Sequence, residues 1–174
     1  MSEIQSTNTR AVVALFVLAA TECATGAYRP TPQPLAGSSD ADPWNLTVRD
    51  AALWFLRTHA AIERVDCSGL VTAILARAGT RVAGSSETFW LDAQREGRVV
   101  DQPTPGNLAF FDYTYDANSN GKVDDELTHV AVVISVEDNG TVVMVHRGSN
   151  EIKGLRMNGC DRNPRMGHQV KQVA

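Results

Sequence analysis

One cysteine and two histidines are the residues best suited to covalent chemistry. Cys67 stands in "DCSGLV" (66–71), directly after an acid and at the start of an apolar run with helical spacing. Asp66 can cap this helix, because its carboxylate can accept hydrogen bonds from the free amides of the first turn. The helix dipole there favours a thiolate and lowers the thiol pKa. Ser68 and Gly69 keep the turn small, and its free amides could bind a developing oxyanion.

Position alone also permits a plainer interpretation of Cys67. The residue lies on the apolar stripe of the predicted helix, together with Leu70 and Ile74. Free cysteines are often buried as small apolar side chains, without any chemical role. A catalytic interpretation therefore needs a base near the thiol.

The histidines that could supply this base flank a predicted β-hairpin. The segments 128–136 and 141–147 are rich in β-branched residues, and the turn sequence "EDNG" joins them. His129 begins the first strand and His146 ends the second. Each could alone be structural or exposed, but the two together suit a nucleophile, base and orienting residue with Cys67.

The hairpin register decides whether the two histidines share a face of the sheet. A four-residue loop pairs Val136 with Thr141 and Ala131 with His146. Alternate residues of a strand point to the same face, so His129 and Ala131 point the same way. This register therefore predicts that His146 lies diagonal to His129 on one face. The alternative, a two-residue "NG" loop, would keep the shared face but move the two histidines one step further apart on each strand.

The order of the predicted elements indicates an α+β fold. Helices precede strands, which favours helices packed on one face of an antiparallel sheet. The tail after residue 150 has no assignable pattern. The predictions are helices over 46–60, from Asp66 to Gly79 and over 86–96, and a turn with a strand over 105–111, ahead of the hairpin.

Four motifs in this order resemble those of the NlpC-type cell-wall peptidases, which are papain-like bacterial endopeptidases. The motifs are "DCSGLV", "PGNLAFF", "THVAVVI" and "MVH", and the resemblance covers roughly residues 46 to 150. It implies a papain-like fold, with Cys67 as nucleophile, His129 as general base and His146 orienting the ring of His129. It also implies a peptidoglycan peptide as substrate and no cofactor for catalysis.

The resemblance implies acyl transfer as the reaction. Cys67 would attack a peptide carbonyl, and the amides of Cys67 and Ser68 are candidates to hold the oxyanion. His129 would then protonate the leaving amine, and water would hydrolyse the thioester. The usual scissile bond of the family joins D-glutamate, through its side chain, to a diamino acid.

The chain also departs from the family pattern. The stretch 57–65 lacks the Tyr, Trp, Gly and Pro that usually precede the cysteine, and Asn107 replaces an Asp after Pro-Gly. An insert separates Phe111 from Thr128. These differences bear on substrate specificity more than on the class of reaction.

The insert resembles a calcium-binding loop. Its oxygen-bearing residues recur at alternate positions around a Gly turn, as a hard cation requires, and they are Asp116, Asn118, Asn120, Lys122 (through its carbonyl) and Asp124. Leu127 stands where an EF-hand has a bidentate Glu, and no flanking helix pair is evident. The alternative is a solvated Asp/Asn/Gly loop without metal.

The N-terminal segment favours export. "AVVALFVLAA" (11–20) is too short to span a bilayer and has the length of a signal-peptide core. Cys23 follows it and could carry a lipid, although Glu22 is a poor fit to a lipoprotein signal. A buried N-terminal helix is the alternative. We expect an exported protein of the cell envelope, either periplasmic or lipid-anchored to the membrane through Cys23, or a secreted one.

The predicted organisation is a signal segment (1–24), a linker rich in Pro, Gly and Ser (25–43) and one catalytic domain (44–174). The net charge of −4 argues against non-specific binding to nucleic acid or anionic lipid. We expect a monomer without a structural disulfide, with Cys160 in the unassigned tail. Other functions stay open: a thiol amidase or acyltransferase on the same fold, a non-catalytic wall-binding module, or an antibacterial effector.

Overall fold

The computed structural model describes residues 42–100 and 102–157, together with the backbone of residues 170–173. In these ranges, helices precede a sheet whose strand order is β4-β3-β2-β1-β5, with every neighbouring pair antiparallel. The predicted α+β fold is confirmed. The elements are α1 (Pro43–Thr58), α2 (Cys67–Arg77), α3 (Ser86–Arg95), β1 (Leu108–Phe111), β2 (His129–Val136), β3 (Val142–Arg147), β4 (Ile152–Met157) and β5 (Val170–Val173).

Helix α1 begins three residues before its predicted start. The side chain of Asp42 accepts a hydrogen bond from the amide of Trp44 at 2.9 Å, and Pro43 occupies the first turn, where its missing N–H costs nothing. The predicted signal segment and nearly all of the linker lie outside the described residues, so the domain division stays a prediction. Cys23 and Cys160 also lie outside them.

Helix α2 agrees closely with the predicted helix from Asp66 to Gly79, because the sequence itself indicated both its N-cap and its apolar stripe. The stripe packs on the sheet and is fully or nearly fully buried. Burial of this stripe fixes the rotation of the helix about its axis, and therefore the direction in which its first turn faces. The stripe consists of Leu70, Val71, Ile74 and Leu75.

Both faces of the sheet are buried at its centre. Residues of the helix-bearing face join the helices in the main core, and they include Phe110, Val130 and Val132. The opposite face carries a second, smaller cluster that includes Phe111 and Ala131. Strand β2 is therefore held from both sides, which makes it a rigid support for His129 at its first position.

The prediction that His129 and His146 share a face of the sheet was right, but the predicted length of the hairpin loop was wrong. Val136 pairs with Val142, whereas a four-residue loop would have paired it with Thr141. The amide of Glu137 donates to the carbonyl of Thr141 at 2.9 Å, and Gly140 supplies the positive φ (81°) that closes the turn. The strands are thus joined by five residues.

A β-bulge compensates for this odd loop. The register shifts by one residue between Val133 and Ser135, and beyond the bulge Val132 pairs with Val145, as predicted. Without the bulge, the loop register would pair His146 with Val132 and turn it toward the opposite face from His129. The bulge therefore restores the shared face.

Strands β4 and β5 were not predicted. Strand β4 lies at the edge of the sheet, and exposed residues such as Lys153 and Gly154 hide any alternating apolar pattern. Strand β5 has four residues and pairs with β1. Neither strand has a local signature, because tertiary pairing determines both of them.

Candidate active site

The first turn of α2 is held by a network around Asp66. Its carboxylate accepts from the amide of Gly69 at 2.5 Å and from the hydroxyl of Ser68 at 3.0 Å. Arg64 forms an ion pair with Asp66 at 3.2 Å and donates to the Ser68 hydroxyl at 2.5 Å. The predicted cap is confirmed. Burial opposes ionisation of Asp66, but the hydrogen bonds from Arg64, Gly69 and Ser68 outweigh it and lower the pKa of Asp66. This network fixes the position of Cys67.

Gly69 is required by close packing. A Cβ at this position would overlap the carbonyl oxygen of Arg64. The segment before the helix therefore crosses directly over the first turn, which brings the Arg64 side chain to Asp66 and Ser68. The glycine of "DCSGLV" thus serves the cap and not the flexibility of the chain.

The thiol of Cys67 is partly buried between α2 and the start of β2. The backbone amides of Val130, Ser68 and Cys67 itself lie near enough to the sulfur to act on the pKa of the thiol. Burial raises the pKa of Cys67, the charge of Asp66 raises it further, and the Val130 amide opposes them. The prediction of a lowered pKa was wrong, because removal of the thiolate from water outweighs the favourable backbone dipoles.

The two histidines contact each other as the register predicted. His129 Nε2 lies 2.9 Å from His146 Nδ1, with the rings nearly perpendicular at 86° and their centroids 5.0 Å apart. His129 also packs against the ring of Phe111, and His146 is only 3% exposed. The contact leaves His129 Nδ1 as the ring nitrogen available to another partner.

Both histidines are neutral at pH 7. Burial lowers the pKa of His129 to about 4, with a further contribution from His146. Burial likewise lowers the pKa of His146 to about 4, with a contribution from Lys153 on the adjacent strand. The resting site therefore holds an uncharged thiol beside uncharged imidazoles.

Cys67, His129 and His146 line one cleft of about 440 Å³. The remaining wall includes residues that the sequence did not single out, among them Tyr115 from the insert and Arg147 at the end of β3. Tyr115 is 56% exposed at the rim. Tyr115 directly precedes Asp116 and Arg147 directly follows His146, and this proximity in the sequence was the signal that could have identified them.

The comparisons with known proteins identify the family of the chain. The sequence model of the CHAP domain matches residues 19–148, well over half of the chain. The chain belongs to the CHAP domain family. The predicted relationship to the NlpC-type peptidase family is confirmed at the level of this domain family.

One solved structure is similar to this CHAP domain: a protein from Staphylococcus aureus subsp. aureus Mu50 described as similar to lipoprotein, NLP/P60 family. The identity is 21% and the TM-score 0.45, over 75% of this chain and 41% of that one. The chain thus spans less than half of that protein's length. No curated protein matches the chain.

The insert of this CHAP domain folds into a closed loop between β1 and β2. The amide of Leu127 donates to Asp112 at 2.7 Å, and the amide of Tyr113 donates to the carbonyl of Asp125 at 2.8 Å. These bonds close the base of the loop beside His129. A change in the loop therefore acts directly on the strand that carries the histidine.

The predicted calcium ligands hydrogen-bond within this loop. The carboxylate of Asp116 accepts from the amides of Asn120 (3.1 Å) and Gly121 (2.8 Å), and Asp124 accepts from the side chain of Asn120 at 3.1 Å. Asn118 accepts from the amide of Asn120 at 2.9 Å. This arrangement is a set of turns closed by side chains.

The remaining predicted ligand, Lys122, donates its amide to the side chain of Asn120 at 2.8 Å. Over the described residues, no three His, Cys, Asp or Glu side chains are grouped so as to hold a metal ion. Calcium binding therefore stays a prediction. For calcium to bind, the ligand oxygens of the loop would have to give up the hydrogen bonds that they accept from loop amides and coordinate the cation instead.

Asn107 has a structural role. It is fully buried, and its side-chain oxygen accepts from the amide of Thr104 at 2.8 Å, while its carbonyl accepts from the amide of Val133 at 2.8 Å. Gly106 precedes it with φ of 93°, in a position where a Cβ would overlap the backbone of Asn45. The Pro-Gly-Asn turn thus anchors β1 beside β2 and α1.

None of the helices in the described ranges has both the length and the apolar character that crossing a bilayer requires. The predicted export signal and the lipid on Cys23 lie outside those ranges and stay predictions.

Proposed function

We propose that this CHAP domain is a cysteine endopeptidase that cleaves the stem peptides of peptidoglycan. The observation that carries the proposal is the convergence of the Cys67 thiol and the His129–His146 pair on one cleft. The backbone amide of Val130, the residue directly after His129, acts on the pKa of the Cys67 thiol, which places the thiol near the start of β2. A nucleophile, a base and a group that orients the base thus line the same cleft.

The contact between the histidines supports a division of roles. When His129 carries its proton on Nε2, it donates to His146 Nδ1 and leaves Nδ1 free to accept the thiol proton. His146 then fixes both the tautomer and the orientation of the ring.

The reaction follows from these roles. The sulfur of Cys67 attacks the scissile carbonyl while His129 Nδ1 takes the thiol proton, and the amides of Cys67 and Ser68 stabilise the oxyanion. Collapse of the intermediate breaks the C–N bond, and His129 protonates the leaving amine. Water, deprotonated by His129, then attacks the thioester, which releases a carboxylate and restores the thiol.

The amides proposed for the oxyanion are those that the cap leaves available. Asp66 takes the amide of Gly69 through its side chain and that of Leu70 through its carbonyl, at 3.1 Å. The amides of Cys67 and Ser68 are near enough to the sulfur to lower the pKa of the thiol. A carbonyl under attack by this sulfur therefore comes next to both donors.

The scissile bond in the proposal joins the side-chain carboxyl of D-glutamate to a diamino acid, as the resemblance to the NlpC-type peptidases implies. Substrate of this kind lies outside the cytoplasmic membrane. The proposal therefore includes export, to the periplasm, to a membrane through a lipid on Cys23, or to the medium.

The test is digestion of purified peptidoglycan by the full chain, followed by mass spectrometry of the released fragments. We expect fragments that carry one added water, from the wild type and not from Cys67→Ala or His129→Asn. His59→Asn is the matched control, since His59 lies at the left-handed C-cap of α1, where Asn is tolerated. Fragments carrying a transferred amine in place of water would indicate an acyltransferase, and release that persists in Cys67→Ala would refute the proposal.

A further inference from the structure

The cleft contains one cation that no carboxylate neutralises. Among its described lining residues, Arg147 is the single Lys or Arg, and Asp66 is the single acid. Asp66 is already paired with Arg64, whereas no carboxylate of the described residues forms an ion pair with Arg147. With both histidines neutral, the cleft presents an uncompensated positive charge.

The hydrogen-bonding capacity of this guanidinium is largely unused. Its Nε is buried and has no hydrogen-bond partner in the described part of the chain. Its Nη2 reaches the carbonyl of Asn150 at 3.5 Å, which is long for such a bond. A buried donor without a partner costs free energy, so this guanidinium lacks the full set of protein partners that such groups usually have.

Strand alternation places Arg147 on the side of the cleft where the thiol lies. Val145 packs into the core beneath the helices, and Arg147, two residues later, points to the same face. His146, between them, faces His129. At the end of β3, His146 thus belongs to the histidine pair, and Arg147 lies on the helix-bearing face of the sheet, which Cys67 also approaches.

We propose that Arg147 binds a free carboxylate on the substrate residue that donates the scissile carbonyl, so that the enzyme selects acidic stem peptides over amidated ones. The planar guanidinium matches a carboxylate with two parallel hydrogen bonds, whereas a carboxamide offers one neutral acceptor. A D-glutamate linked through its side chain retains a free α-carboxylate near the scissile bond. This inference rests on the proposed function and adds the chemical feature that the site recognises.

The test uses two synthetic stem peptides that differ only in this group, one with the carboxylate and one with the carboxamide. We expect the full wild-type chain to prefer the carboxylate peptide in kcat/KM by roughly 10- to 100-fold, the range of a charge-assisted hydrogen bond. Arg147→Gln is expected to reduce the ratio to about one, and Arg147→Lys to retain part of it. Arg156→Gln is the matched control, because Arg156 is exposed on β4 and pairs with Glu137 at 2.6 Å.

The outcomes separate the inference from the function on which it rests. An unchanged ratio in Arg147→Gln would overturn the inference, and so would an equal loss on both peptides, which would make Arg147 structural. If the wild type cleaves neither peptide, the proposed function fails. Binding of the peptides to Cys67→Ala, with and without Arg147→Gln, then tests the inference alone: tighter binding of the carboxylate peptide that disappears with Arg147→Gln supports it, and equal affinities overturn it.

Discussion

His129 Nε2 and His146 Nδ1 lie 2.9 Å apart across two neighbouring strands whose loop alone would have separated them. The five-residue loop after Val136 sets a register that turns His146 away, and the bulge between Val133 and Ser135 reverses it. The pairing of the histidines thus depends on an irregularity several residues from either ring. Such a bulge beside a site has the effect of redirecting a side chain.

Substitution of His146 tests its role as the orienting residue. We expect His146→Ala to lower kcat by roughly 10²- to 10⁴-fold, because the ring of His129 loses the acceptor that fixes its tautomer. His146→Asn keeps a side-chain acceptor and is expected to lose less. The measurement is kcat on a stem peptide, together with the pH profile of Cys67 alkylation. Equal kcat in the Ala variant and the wild type would exclude the role.

Acidification is expected to destabilise the fold between about pH 6.5 and pH 4. The pKa of both histidines is near 4 in the folded chain and 6.5 in a model peptide, so the unfolded chain binds more protons across this window. Stability is therefore full above the window and decreases as the pH falls through it. Asp66, whose pKa is lowered from 3.8, contributes only below the window.

Urea unfolding at pH 7 and at pH 4.5 measures this effect. His129→Gln is expected to show a smaller loss of unfolding free energy than the wild type, because the amide has no proton to bind. His59→Asn serves as the control and should retain the wild-type pH dependence. A loss of the same size in His129→Gln would show that other groups cause it.

Gly69→Ala is expected to destabilise the domain by about 1–3 kcal/mol, in the range of overpacking substitutions. The added Cβ would overlap the carbonyl of Arg64 and displace the segment that pairs with Asp66. Activity should fall further than stability accounts for, because the first turn also positions Cys67. Gly154→Ala is the control, since a Cβ there meets no atom within 4 Å. Equal melting temperatures in the two variants would contradict the packing argument.

Calcium is expected to raise the melting temperature if the insert binds it. Asp116 and Asp124 would supply carboxylate ligands, and the loop closes directly beside His129. The measurement is thermal unfolding of the full chain in calcium and in chelator, with Asp116→Asn and Asp124→Asn. Asp138→Asn, in the β2–β3 loop, is the matched control. Identical melting and activity in calcium and in chelator would exclude calcium binding by the loop.

Local signals determined much of the fold and the central part of the site. The cap at Asp66 and the stripe of α2 were legible because a helix start and a 3,4 spacing depend on neighbouring residues alone. The shared face of His129 and His146 followed from strand alternation. That prediction was correct only because the strand contains a bulge, which no local sequence pattern indicated. A loop of four residues and a loop of five residues with a bulge lead to the same strand pairing near the histidines.

Tertiary structure alone decided the charge state of the site and the composition of its walls. The helix dipole predicts a lowered pKa for Cys67, but the packing of α2 against β2 removes the thiol from water and raises it. Tyr115 and Arg147 become cleft residues only when the insert and the end of β3 meet the first turn of α2. The sequence by itself determined which residues can react, because reactivity belongs to residue type and local spacing. Burial and long-range contacts decided their protonation and their neighbours, because desolvation depends on every element that packs around them.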